Sequence, residues 1–182
     1  MIKSAKIGGY NSAKFVALVG IMAATVECGK LALSFIPNVE VVTLLWAVYG
    51  YVFGWAGVIA AVVFVGIEPM IWGFGSWVVT YFIYWPSLAL VFCLLRRVKF
   101  RSRWFFTAVA ALMTVIFGIL STIVDVLFLT GITSYFFKNL IIFYARGLVF
   151  YVVQISCNLV LFPILFEFLT KKLGIIKRRM LL

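Results

Sequence analysis

Five ionisable side chains stand inside long apolar stretches of this 182-residue chain: Glu27, Lys30, Glu68, Asp125 and Arg146. Charged groups in such segments are costly, and they persist where they face a bundle interior or a water-filled cavity and pair with one another or with a ligand. Carboxylates and cations of this kind can hold the polar groups of a small organic molecule through charge-assisted hydrogen bonds. Asn38 and Glu40, just after the first apolar stretch, and Gln154 and Asn158, within the last, extend the polar set. Aromatic residues gather nearby, among them Trp72, Phe74, Trp77, Tyr81, Tyr135 and Phe136. An interfacial belt accounts for most of them, while flat rings such as Trp72 and Tyr81 can also cover an organic ligand at little entropic cost. The simpler alternative is local pairing, for instance Glu27 with Lys30 at i,i+3 on one helix.

The same inventory rules out several chemistries. With no histidine in the chain, the usual Ser-His and Cys-His nucleophilic pairs are absent, as is the commonest metal ligand. No GxxxxGK[ST] sequence occurs, so the chain carries no P-loop for ATP. Cys28, Cys93 and Cys157 are odd in number and lie inside apolar segments without a CxxC pair. They suggest neither a disulfide framework nor a zinc site, and no metal or intrinsic cofactor is expected.

Helices must position these groups in a membrane. The chain is 66% hydrophobic and 12% charged, with a mean hydropathy of +1.21, against about 45–50% apolar and about 25% charged in soluble domains. Windows of about 20 residues per crossing divide it into six helices. They run over residues 13–35, 41–53, 56–73, 77–95, 104–129 and 139–170, the second being short and set off from the third by Gly54-Trp55-Ala56-Gly57. No internal repeat or long linker breaks the chain, so residues 1–182 read as a single all-α transmembrane bundle, multi-pass in a cell membrane.

Thirteen of the sixteen Lys and Arg residues fall in three clusters: Lys3, Lys6 and Lys14; Arg96, Arg97, Lys99, Arg101 and Arg103; and Lys171, Lys172, Lys177, Arg178 and Arg179. Basic loops stay cytoplasmic, and four crossings followed by two more bring each cluster to the same side. Both termini are therefore expected inside. The net charge of +11 suits anionic headgroups at that surface. It does not suit nucleic acid, which needs a basic face on a polar exterior.

Orientation gives the buried charges a depth. Glu27 lies fourteen residues beyond Ala13, roughly 21 Å along its helix. Glu68 and Asp125 are equally late in outward-running helices, and Arg146 is early in an inward-running one. The five thus gather in the outer half, with Asn38 and Glu40 at the mouth of a cavity open to the outside. On the first helix Ala13, Ala17, Gly20 and Ala24 recur at i, i+4, i+7 and i+11, a small-residue face that admits another helix closely, within the bundle or from another subunit.

These features together resemble the substrate-binding S components of energy-coupling factor (ECF) transporters, the vitamin uptake systems of bacteria. The resemblance spans nearly the whole chain, through its size, six helices, small-residue stripe and short first outer loop. The stretch from Phe35 through Pro37, Asn38 and Glu40 to Thr43, with Glu68 and the Trp72-Gly73-Phe74-Gly75 turn, is similar to one subgroup. The resemblance implies a non-enzymatic carrier in the bacterial cell membrane that captures a vitamin outside. It then works with a transmembrane coupling protein and two ATPases. Ala13 and Ala17 match the AxxxA face that meets the coupling protein in that family, and Gly20 and Ala24 extend it. The subgroup leans towards cobalamin as the transported ligand, with folate, pantothenate, riboflavin or a queuosine precursor as alternatives. An anionic vitamin would favour Lys30 or Arg146 as carboxylate partner. A stand-alone secondary transporter is the competing reading.

Overall fold

The computed structural model describes residues 6–7, 10–36, 39–98 and 102–181. Helices dominate: α1 (Ser12–Ala32), α2 (Val42–Phe53), α3 (Trp55–Trp72), α4 (Ser76–Leu95), α5 (Arg103–Leu129) and α6 (Phe136–Leu161). The last continues through a π-helical segment, Phe162–Phe166, into α7 (Glu167–Leu181). Ahead of α1, Lys6–Ile7 pairs antiparallel with Tyr10–Asn11.

Five stretches are long and apolar enough to cross a membrane: Ser12–Leu33, Trp55–Trp72, Ser76–Leu95, Arg103–Leu129 and Phe136–Met180. The expected second span is different. With 12 residues, α2 reaches roughly 18 Å, short of a hydrocarbon core about 30 Å thick. It is nonetheless wrapped by protein, chiefly α4 and α3, with ten of its residues buried, and its last turn reaches the basic end, where Lys177 Nζ donates to the Val52 carbonyl at 2.7 Å. The chain reverses sharply between α2 and α3 at Gly54, whose φ of 65° lies in the left-handed region that glycine adopts without a Cβ clash. The two segments are therefore separate helices, as the glycine-rich junction predicts.

Close approach fixes α2 against α4. A Cβ on Gly50 would overlap the carbonyl of Ala89, so only glycine lets the two backbones meet there. Around this contact the core fills with Leu44, Trp46, Val48, Ala60, Ala61, Leu88 and Phe92, each at most 1% exposed. At the basic end, Phe92, Phe106, Phe162 and Phe166 form a ring cluster in which Phe106 and Phe166 lie 4.8 Å apart between centroids.

The sixth helix is longer than the predicted 139–170, running unbroken from Phe136 to Leu181. Pro163 has no N–H for the helical ladder and would ordinarily kink or break it. Here the ladder widens to π geometry over Phe162–Phe166, a local adjustment that keeps the helix continuous. The third basic cluster, expected beyond the helix end, accordingly lies on α7.

Candidate functional site

Glu27 and Lys30 sit three residues apart on α1, and Glu68 and Trp72 four apart on α3, so each pair shares one helix face. Those two faces meet. The Lys30 ammonium donates to Glu68 at 2.7 Å to Oε1 and 2.5 Å to Oε2, and lies 4.6 Å from the Trp72 ring centroid. Trp72 Nε1–H in turn donates to Glu27 Oε1 at 3.0 Å. Local pairing of Glu27 with Lys30 is thereby replaced by pairing between helices. The Glu68 side chain is 1% exposed and that of Lys30 25%, so the carboxylate is taken from solvent while its partner reaches the opening.

That opening is a cavity of about 330 Å³ lined by Lys30, Ser34, Glu40, Trp72 and Tyr81 together with apolar side chains of the first loop. Four predicted ligand residues, Lys30, Glu40, Trp72 and Tyr81, line it directly, and Glu27 and Glu68 adjoin it through their bonds. Tyr81 belongs to an aromatic ladder along α4, with edge-on contacts to Trp77 at 5.1 Å and Trp85 at 5.5 Å. Rings at i and i+4 on one helix stack in this way because they share a face.

Glu40 departs from expectation. Predicted at the mouth, it reaches inward: Oε1 accepts from the Thr43 hydroxyl at 2.6 Å and Asn158 Nδ2 at 3.4 Å, and Oε2 accepts from the Thr43 amide at 2.9 Å. Asn158 Nδ2 also donates to Thr114 Oγ1 at 3.0 Å, and the Tyr84 phenol stands beside Thr43 and Thr114. Thr114 and Tyr84 are near the middle of α5 and α4, so Glu40 marks the floor of the bundle's polar interior. Sequence reading passed over Tyr84 and Thr114, because single hydroxyls in apolar helices are ordinary, and met Thr43 only as part of the stretch that carries the resemblance. Asn158 was the one visible signal.

The remaining predicted residues lie apart from this group. Asp125 accepts from the Ser76 hydroxyl at 2.5 Å, tying the end of α5 to the start of α4. Arg146 is exposed on α6, 5.5 Å from the Phe143 ring, with no ion pair among the described residues. The depth argument could not assign the face of α6 on which it stands. Asn38 lies outside the described residues. Ala13, Ala17, Gly20 and Ala24 are all exposed, so the stripe is not consumed by packing within the chain. A larger cavity of about 380 Å³ opens at the basic end between Tyr51, Arg103, Glu167, Lys171 and Arg178. It contains none of the predicted ligand residues.

No known protein family, no curated protein and no solved structure matches this chain.

Proposed function

We propose that this chain is a ligand-capturing carrier subunit of the ECF S-component kind, binding a vitamin-sized molecule from outside a bacterial cell. The observation that carries the reading is the cavity of about 330 Å³ edged by Lys30, Glu40, Trp72 and Tyr81, at the end of the bundle away from the basic clusters. Positive-inside orientation makes that end external and both termini cytoplasmic. The exposed small-residue face of α1 suits docking on a transmembrane coupling protein, and energy would come from two partner ATPases.

The site's charge narrows the ligand. Lys30 is already compensated by Glu68 and Arg146 stands elsewhere, so neither is available as a dedicated carboxylate partner. A largely neutral molecule, held by the faces of Trp72 and Tyr81 and by hydrogen bonds to the Lys30–Glu68 pair, fits better than an anionic one. Organic-ligand sites run to about 300–1,000 Å³, which puts this cavity at the small end. A corrinoid would place only part of its ring or amide arms inside and spread over the outer face, whereas a smaller vitamin would enter whole.

Calorimetry of the purified protein against a panel including cobalamin, riboflavin, pantothenate and folate tests the proposal. A heat of binding from a neutral member supports it, and silence across the panel counts against it. Uptake into proteoliposomes containing this chain alone would favour a secondary transporter instead.

A further inference from the structure

The floor below the cavity holds an unusual surplus of oxygen. Thr43, Thr114, Tyr84 and Asn158 are each at most 2% exposed, and they surround a single carboxylate, Glu40, that has no cationic partner within 4 Å among the described residues. Asn158 Oδ1 is buried without a hydrogen bond, and the Tyr84 phenol stands beside Thr43 and Thr114. Buried charges are ordinarily paired or bound to a metal ion, and buried polar atoms ordinarily find partners. Glu40 has hydrogen-bond donors but no countercharge among the described residues, and Asn158 Oδ1 has no partner.

The geometry offers a resolution. The two ends of an asparagine amide are assigned from their hydrogen-bond network, and a half-turn of the Asn158 amide exchanges Nδ2 for Oδ1. Oδ1 would then stand about 3.4 Å from Glu40 Oε1 and about 3.0 Å from Thr114 Oγ1, where Nδ2 now lies. A cation of calcium's size takes oxygens at about 2.3–2.6 Å, which sets neighbouring ligand oxygens roughly 3–4 Å apart. Sodium has nearly that radius. One carboxylate among neutral hydroxyls and an amide supplies one negative charge, enough to neutralise a monovalent ion, whereas divalent sites gather several carboxylates. All the donors are hard oxygens, with no soft or imidazole ligand to attract a transition metal.

We infer that Glu40, Thr43, Tyr84, Thr114 and Asn158 form a binding site for a monovalent cation of sodium's size, reached through the outer cavity that Glu40 borders. The ion would tie the first loop and α2 to α4, α5 and α6 beneath the cavity. The site does not depend on which molecule the cavity holds or on what energises transport.

Thermal unfolding of the full-length protein in detergent, in sodium, potassium or N-methyl-D-glucamine chloride at matched ionic strength, tests the site. A ligand that binds the folded state alone raises stability with ln(1 + [L]/Kd). Sodium should therefore raise the midpoint saturably over N-methyl-D-glucamine, and potassium less. Glu40→Gln and Asn158→Leu should abolish the sodium-dependent part, while Arg146→Ala keeps it. If those variants do not fold, Thr114→Val removes one oxygen at nearly constant shape. It should raise the half-saturating sodium concentration about tenfold, as expected for losing one strong polar contact. Equal midpoints in sodium and N-methyl-D-glucamine, an undiminished response in Glu40→Gln, or an unchanged half-saturation in Thr114→Val would overturn the assignment. So would a potassium response equal to sodium's, or saturation by calcium at lower concentration.

Discussion

Helices α2 and α6 are both dominated by apolar residues, yet ten of the 12 residues of α2 are buried whereas Asn158 alone is buried among the 26 of α6. In water such a contrast would be written in the sequence, since exposed faces turn polar. In a bilayer both the lipid-facing and the protein-facing sides are apolar, so hydropathy loses that information. What distinguishes the two helices is size and polarity at a few positions. Gly50 and Ala47 let α2 enter the core, while on α6 the polar side chains that reach protein partners, Asn139, Tyr151 and Asn158, mark its inward side. The site follows the same division. The α1–α4 half supplies the cavity and its ion pair, and the α5–α6 pair contributes only to the floor.

Substitutions on the two sides of this division should differ sharply. The largest effect is expected from Gly50→Val, which forces α2 and α4 apart. Overpacking of this kind costs about 3 kcal/mol or more, so little folded protein should survive detergent size-exclusion chromatography. Gly174→Ala, in open space on α7, should instead be neutral or stabilising by up to about 1 kcal/mol.

Next comes Glu68→Ala, which strands the Lys30 ammonium. Removing one partner of a fully buried pair costs about 3–5 kcal/mol, and the part-exposure of Lys30 reduces this to roughly 2–3. The melting temperature and the affinity for a bound ligand should both fall. Arg146→Ala, on the exposed side of α6, should change stability by less than about 0.5 kcal/mol and leave ligand affinity intact. A smaller loss is expected for Asp125→Ala, about 1–2 kcal/mol for one charge-assisted hydrogen bond to Ser76, read as a shifted melting temperature without lost binding. Ala17→Trp, on the outward stripe of α1, should leave folding and ligand binding unchanged. It should block co-purification with a coupling subunit, and normal assembly would count against the docking role.

Several elements were legible beforehand for physical reasons. Gly54 marked the α2–α3 reversal because a positive φ demands glycine, and charges in apolar segments marked Lys30 and Glu68 because their burial needs a partner. The identity of that partner was not legible. Spacing on one helix suggested Glu27 for Lys30, but the depth and rotation of α3 decide that Glu68 arrives instead. The last helix was expected to run through Pro163 to residue 170, but the π-helical widening over Phe162–Phe166 that accommodates the proline was not legible. The inward reach of Glu40 was hidden because it depends on α2 being only 12 residues long and buried, so that the helix begins inside the bundle.

The direct test of the outer cavity as a ligand site is native mass spectrometry of the protein purified gently from cells grown in rich medium. The account predicts a small organic molecule bound one to one, lost in Trp72→Ala and retained in Arg146→Ala. A protein that carries no ligand under any growth condition, or one whose ligand survives Trp72→Ala but not Arg146→Ala, would contradict it.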